Sequence, residues 1–361
     1  MKLKFKQQRY QEDAALSVVS VFQGQPKQDA LIYLRDKGRK VLKQGMESLF
    51  EDQGAIDEGY ANPPVRLSTT QLLDNIHRVQ RANDIEESGE LSGGLGACQL
   101  DIEMETGTGK TYVYTKTMFE LNRAYGWTKF IVVVPGVAIR ESVYKSLQNT
   151  EQHFFETYGK KIDFFVYDSD NLTELDHYSE SPDICVMIIN MQAFNTSMKE
   201  NSRSKQARII FNERDEFGSR RPIDVIAANR PIIIQDEPQK MGGKATQEGI
   251  RRFDPLFCLN YSATHRVHHD TVYVLDALDA YNQRLVKRIE VKGFELKNIR
   301  GTNGYLYLRD VIVSKSRPPV AVIEHRRLSA AGRVTTTSGR FGTGDDIYTA
   351  SCEMEVYRGY Q

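Results

Sequence analysis

Cysteine is scarce in this chain of 361 residues. Cys98, Cys185, Cys258 and Cys352 are the four present, and no two lie within 70 positions of one another. That excludes a disulfide-stapled fold and any Cys-x-x-Cys zinc or redox site. Three of the four sit in apolar surroundings, so we expect reduced, buried thiols of a cytoplasmic protein. Long apolar runs are missing too. Nowhere do 18 consecutive apolar residues occur, which excludes a membrane-spanning helix, and the basic start Met1-Lys-Leu-Lys-Phe-Lys6 is not followed by an apolar segment of secretory length. A dominant charge is lacking as well. With 48 basic and 48 acidic residues no global field attracts nucleic acid or membrane, so any nucleic-acid site must be local.

What the chain does have is concentrated in residues 99–111. Leu100 to Met104 alternates apolar and acidic side chains as a strand would, and Thr106-Gly-Thr-Gly-Lys-Thr111 follows as a glycine-rich turn. Gly107 and Gly109 let the backbone curl so that successive N–H groups, including that of Thr108, point at an anion, and a helix starting near Thr111 adds its positive end. In this pattern Lys110 reaches the β and γ phosphates of a nucleotide and the Thr111 hydroxyl ligates Mg²⁺. The strict pattern places glycine, and a looser variant a small residue, where this chain has Met104.

Two further elements stand in the order a nucleotide site needs. Pro231-Ile-Ile-Ile-Gln-Asp236-Glu237-Pro238-Gln239 sets adjacent carboxylates where an apolar strand stops. An acidic pair there is often a solvated turn. Behind a phosphate loop it reads as Asp236 holding Mg²⁺ and Glu237 orienting or deprotonating the attacking water. Then Leu259-Asn-Tyr-Ser262-Ala263-Thr264-His265 ends another apolar strand, and its two hydroxyls, Ser262 and Thr264, are placed to bond the acidic motif and report nucleotide state. Upstream, Arg9-Tyr10-Gln11 opens a helical stripe over 8–23 (Ala14, Ala15, Val18, Val19, Phe22). The amide of Gln11 can read an adenine edge, or simply cap a surface helix.

The remaining pattern is α/β. Apolar runs at Phe130–Val134, Ile184–Ile189, Ile232–Ile234 and Leu256–Leu259, with helical intervals such as Val137–Leu147, predict a doubly wound, mostly parallel sheet with its ligand at the C-terminal strand ends. Helices are expected in patches over Leu31–Leu49 and across Thr69–Ala82. Asn62-Pro63-Pro64 reads as a break, 83–97 as a loop, and 304–360 as β-rich.

Met104-Glu-Thr-Gly-Thr-Gly-Lys-Thr111, Val133-Val-Pro135, Asp236-Glu-Pro-Gln239 and Tyr261-Ser-Ala-Thr-His265 together resemble the first motor domain of superfamily 2 helicases and translocases. Leu275-Asp-Ala-Leu-Asp-Ala-Tyr-Asn282 and Lys287-Arg-Ile-Glu-Val-Lys-Gly293 make the chain more similar to the Res subunit of type III restriction enzymes. The resemblance implies a RecA-like P-loop NTPase domain over 1–265, with a helical region at 1–98 and the core at 99–265. A linker helix and β-rich insertion would follow over 266–361. It also implies ATP and Mg²⁺ as cofactors, with Thr106, Gly107, Thr108, Gly109, Lys110 and Thr111 binding phosphate and metal. Asp236 and Glu237 would hydrolyse, Ser262 and Thr264 would couple, and Gln11 would read adenine. Double-stranded DNA and a modification methyltransferase are the implied partners, with a second motor domain and a nuclease domain expected beyond residue 361. A stand-alone P-loop ATPase or kinase, or a non-catalytic docking scaffold, are the rival readings.

For DNA, the loop from Val133 to Arg140 offers Pro135, Gly136 and Arg140, and a second basic group is Lys240, Lys244, Arg251 and Arg252. Three signals are discounted. Asp279 with Glu290-Val-Lys292 imitates a metal-dependent nuclease but starts from an apparent helix (Leu275, Leu278, Tyr281, Leu285). His265, His268 and His269 cluster without a further ligand type. Gly339-Arg-Phe-Gly-Thr-Gly-Asp-Asp346 has no lysine and reads as a hairpin turn.

Overall fold

The structure is a computed structural model that describes residue 5 and residues 7–35, 58–194, 209–286, 305–314, 317–329 and 332–359. The chain divides into two compact units, Met1–Arg288 and Ile289–Gln361.

The first unit runs α1 (Arg9–Val21), β1 (Leu31–Leu34), β2 (Glu58–Ala61), α2 (Thr69–Ala82), β3 (Gln99–Met104), α3 (Lys110–Tyr125), β4 (Lys129–Val134), α4 (Val137–Tyr158), β5 (Ile162–Val166), α5 (Thr173–Glu180), β6 (Ile184–Asn190), α6 (Pro222–Ala228), β7 (Ile232–Asp236), α7 (Lys244–Arg251), β8 (Cys258–Ser262), β9 (Asp270–Leu275) and α8 (Ala277–Asn282). Seven strands form one sheet in the order β5-β6-β4-β7-β8-β3-β9, and every neighbouring pair is parallel. The apolar runs become central strands for the reason their composition implies, since both faces are covered. Along β4, Phe130, Val132 and Val134 enter one core with Val18, Ile76, Val113 and Leu121 of the helices, while Ile131 and Val133 enter the opposite core with Ile189, Ile226, Ile250 and Phe253.

Local signals explain several boundaries. Helix α2 begins at a reciprocal cap in which Ser68 Oγ accepts from Gln71 N–H at 3.2 Å and Gln71 Oε1 accepts from Ser68 N–H at 2.9 Å. Helix α3 stops at Gly126, whose φ of +84° suits glycine and whose Cβ would stand 1.9 Å from the Gln28 carbonyl. The single tryptophan, Trp127, is fully buried, donates to the Pro63 carbonyl at 2.9 Å, and packs edge-on against Phe22 and Phe257, so it fastens the N-terminal segment to the sheet. The break at Asn62-Pro63-Pro64 is itself a staple. Asn62, wholly buried, donates to the carbonyls of Lys129 (2.8 Å) and Arg230 (3.0 Å) and accepts from Thr128 and Lys129 N–H groups (2.8 and 3.0 Å), joining the starts of β4 and β7.

Several expectations are corrected. Leu31–Leu34 is an antiparallel strand paired with Glu58–Ala61, not helix, and the rest of the 31–49 patch lies outside the described residues. The sheet does not close at 265: β9 adds beside β3, so Leu275 ends a strand and the helix begins only at Ala277. Glu290 and Lys292 lie outside the described residues, as does the stretch 287–293, while Asp279 sits in α8.

The second unit contains β10 (Leu306–Ile312), β11 (Val320–Leu328) and β12 (Val334–Phe341) as an antiparallel sheet in that order, then α9 (Ile347–Ala350). Phe341, Ile347 and Tyr357 form its small core. The Gly339–Asp346 stretch is not a hairpin turn: β12 continues to Phe341 and the chain then enters α9, whose start is capped by the Asp346 side chain accepting from Tyr348 and Thr349 N–H groups. Within the stretch expected to be β-rich, Glu355–Tyr357 is a short 3-10 helix. No helix among the described residues is long and apolar enough to cross a membrane. Cys98, Cys185 and Cys258 are buried free thiols, and Cys352 is an exposed one.

Candidate functional site

Strand β3 delivers the chain to a loop that needs its glycines for backbone reasons. Gly107 (φ +87°) and Gly109 (φ +89°) both lie in the left-handed region; a Cβ at Gly107 would meet nothing, so conformation alone demands glycine there, whereas at Gly109 it would also approach Gln11 Nε2 to 2.9 Å. Met104 occupies the place of the expected small residue without conflict. It is a buried strand residue whose side chain belongs to the core. The turn is closed by Thr108, whose N–H and hydroxyl both donate to the Glu105 carbonyl (3.3 and 2.6 Å). At its tip the exposed Thr106 N–H donates to the Glu105 carboxylate at 2.6 Å, so a loop amide already holds an anionic oxygen. Lys110 opens α3, with Thr111 next to it.

The acidic tip of β7 lies against this loop. Lys110 Nζ is 3.3 Å from the Met104 carbonyl and 3.4 Å from Glu237 Oε1, although β8 separates β3 from β7 in the sheet. Asp236 is 6% exposed, and the hydroxyl of Tyr114, from α3, donates to its Oδ2 at 3.4 Å. Burial first, then the adjacent Glu237 charge, push the Asp236 carboxyl up to about 6, against the pull of Lys110. Burial together with the Asp236 charge keeps the Tyr114 phenol protonated, hence a donor. Glu237 itself turns the chain at φ +64° and is held by Gln239 Nε2 at 2.5 Å, with Lys240 3.8 Å away.

Ser262, at the end of the next strand, is brought to this group through Gln239. Its Oγ is 2.8 Å from Gln239 Oε1 and 2.7 Å from the Thr264 carbonyl, and it accepts from Thr264 N–H at 3.1 Å. Ser262 therefore meets the glutamine of the acidic motif rather than its carboxylates, and Thr264 joins through its backbone. On the other side of the loop, Tyr10 OH and Gln11 Nε2 both donate to the Thr108 carbonyl (2.8 and 3.2 Å), so α1 touches the loop itself. Tyr10 was not singled out from sequence; its only signal was its place beside Gln11.

The DNA candidates cluster at neighbouring strand ends. Pro135 follows β4, Gly136 caps α4, and Arg140 in its first turn lies 3.4 Å from Asn190 Oδ1 and 3.0 Å from Glu141. Gln192 Nε2 donates to the Pro135 carbonyl at 3.1 Å and Asn190 Nδ2 to Gln192 Oε1 at 2.8 Å, so Asn190 and Gln192 belong to this patch. Polar residues directly after the apolar run Ile184–Ile189 were the signal for them. In the second basic group, Lys240 and Arg251 line a common cavity, Lys244 starts α7, and Arg252 stacks on Phe211 at 4.9 Å.

One feature escaped the sequence reading. The alternation in β3 does not turn both of its acids to solvent: Asp101 is fully buried, accepting from Asn260 Nδ2 (2.8 Å) and from the His269 N–H (2.7 Å), with the His269 ring 3.1 Å away and His265 at 3.8 Å. Burial alone would raise its carboxyl, but the His269 bonds and the nearby imidazoles outweigh that and hold it below its ordinary value. His265 and His269 thus anchor a buried carboxylate, and no cluster of three or more His, Cys, Asp or Glu side chains that could hold a metal ion occurs among the described residues.

Residues 70–267 match the family model described as "Type III restriction enzyme, res subunit". Over 242 residues the chain is 33% identical to the Type III restriction-modification enzyme EcoPI Res subunit of Escherichia phage P1, which covers 63% of this chain and 25% of that protein. The EcoP15I Res subunit of Escherichia coli is 32% identical over 243 residues, with the same coverage. The match therefore spans about a quarter of the length of these relatives. Among solved structures, a nuclease-deletion mutant of the Type ISP restriction-modification enzyme LlaGI, in complex with a DNA substrate mimic, is similar at a TM-score of 0.34 and 12% identity, covering 54% of this chain and 19% of that one. On the family match, and with an all-parallel sheet that sets a glycine-rich loop, an acidic strand tip and a Ser-Ala-Thr element side by side, this chain belongs to the family of type III restriction enzyme Res subunits.

Proposed function

We propose that this chain is the ATP-binding motor part of a type III restriction enzyme's DNA translocase. The observation that carries this is the 3.4 Å approach of Lys110 to Glu237, which joins the loop and the acidic tip into one site. Backbone N–H groups from Thr106 to Gly109 wrap the phosphates, those of Thr106 and Thr108 once they leave Glu105, and Lys110 neutralises the β and γ groups. Thr111 and Asp236 are the residues that would hold Mg²⁺. Asp236 fits, because a buried carboxylate with a raised proton affinity is one that a divalent cation re-ionises. Bound Mg²⁺–ATP supplies the electrophilic phosphorus and the leaving group. Glu237 orients and deprotonates the attacking water, and for this Lys110 must leave Glu237 for the phosphates. Gln11, already at the loop, reads the adenine edge, while Ser262 and Thr264 pass the state of Glu237 through Gln239. Pro135, Gly136 and Arg140 grip the backbone of double-stranded DNA, along which hydrolysis drives the complex. The modification methyltransferase of the restriction system is the protein partner, and DNA cleavage is the system's output.

The test is titration calorimetry with Mg²⁺–ATP. Lys110→Ala should weaken binding at least about tenfold, since a charge-assisted bond to phosphate contributes roughly 1.5–3 kcal/mol. Unchanged affinity in a folded variant rejects the site.

A further inference from the structure

Beneath the acidic motif, on the sheet face away from α1 and α3, lies a second polar place. Register sets Gln235 of β7 opposite Asn260 of β8, and Asn260 opposite Asp101 of β3, so three buried polar side chains form a row across three strands. The row is continuous: Gln235 Nε2 donates to Asn260 Oδ1 at 3.0 Å and Asn260 Nδ2 to Asp101 Oδ1 at 2.8 Å. No helix links β8 to β9 over this row, and the reason is topological. Strands β8 and β9 are parallel with β3 between them, yet only residues 263–269 connect them. A parallel crossover ordinarily takes a dozen residues or more. This one has length only for a nearly extended return of about 20 Å, and it is pinned to Asp101 by His269.

Between this segment, the polar row and α7 is a cavity of about 540 Å³, within the usual size of small-molecule sites. Amides of Gln99, Gln235, Gln239, Gln247 and Asn260 line it, with the imidazoles of His265 and His269. Lys240, Arg251 and Arg266, all exposed, supply positive charge at its edge, and no carboxylate lines it among the described residues. Two polar atoms of this lining, Gln235 Oε1 and His265 Nε2, are buried without a hydrogen-bond partner among the described residues. Gln235 is 2% exposed and the His265 side chain 1%. Burying such atoms unpaired is costly.

We infer that this cavity binds a nucleotide unit distinct from the one on the Lys110 loop. Its base edge donates an N–H to Gln235 Oε1 and meets the His265 ring, and its phosphate rests on Arg266, Arg251 and Lys240. Amides that both donate and accept suit a base edge, and a cationic rim without acids suits phosphate. Because Gln239 lines the cavity and also holds Glu237 and Ser262, an occupant touches the hydrolytic tip directly. The nucleotide is either free in solution or one residue of a single-stranded DNA segment.

The experiment uses the full chain carrying Lys110→Ala, titrated separately with dAMP and with a short single-stranded oligodeoxynucleotide and followed by calorimetry. Binding of dAMP supports a free-nucleotide site; binding of the oligonucleotide alone supports a strand residue. In either case Arg266→Ala, an exposed change that leaves the fold intact, and Gln235→Leu should each weaken that binding tenfold or more. Absence of binding by either ligand at millimolar concentration overturns the inference, as does binding that Arg266→Ala and Gln235→Leu both leave unchanged.

Discussion

Lys110 has two claimants. Its ammonium lies 3.4 Å from Glu237 Oε1, the carboxylate proposed to activate water, and the phosphates of a nucleotide would compete for the same charge. Removing that competitor should separate binding from chemistry: Glu237→Gln is expected to bind Mg²⁺–ATP as tightly as the parent or severalfold tighter, with hydrolysis lower by about a hundredfold or more. Calorimetry beside a phosphate-release assay checks both halves, and weaker binding would remove the claim of competition. Asp236 makes a second prediction. Its folded-state carboxyl, at about 6, lies above the ordinary value, so ionising it works against folding, and stability is lost as pH rises from about 4 through about 6. Asp236→Asn should therefore stabilise the chain at pH 7.5 by on the order of 2–3 kcal/mol, with the gain gone by pH 4; urea unfolding at the two pH values measures it. At this scale the glycines of the loop were legible because positive φ admits little else. Asp101 was not, because the same alternating pattern describes a strand with one wet face and a strand whose acid is paired by a histidine 168 positions away.

Elements were legible where periodicity and caps agreed. Helix α2 begins and ends where its apolar spacing and the Ser68–Gln71 cap place it, and the buried runs became β4, β6, β7 and β8. The failures share a cause. Leu31–Leu34 carries no strand alternation and acquires its conformation from Glu58–Ala61, and the polar break at Asn62 becomes interior only because β4 and β7 offer it four backbone partners. Such partners cannot be seen from neighbours in sequence. Asn62→Ala strands those groups in the interior and should cost about 2–4 kcal/mol. A midpoint of chemical unfolding that does not move would show that water replaces the amide.

For the whole molecule, charge neutrality has a consequence for DNA. With 48 charges of each sign there is no global attraction to add to local contacts, so in the proposed function DNA affinity is expected from a local patch, of which the one at the ends of β4 and β6 is the candidate. Arg140→Ala should weaken binding of duplexes of any sequence alike and reduce the salt dependence by about one counterion, read as the slope of log affinity against log salt. An unaltered slope would place the DNA elsewhere. Alternation of strands and helices predicted the parallel sheet, but not the strand order, and the boundary near 265 was missed because β9 is recruited by β3 rather than by any neighbour in sequence.

That recruitment also sets a schedule. The loop-bearing strand is delivered early by the ribosome, yet both of its lateral partners, β8 and β9, are translated long after it. At ordinary elongation rates the interval is on the order of ten to thirty seconds. During it β3 has open edges on both sides, so the proposed nucleotide site is expected to be completed only after β8 and β9 have emerged.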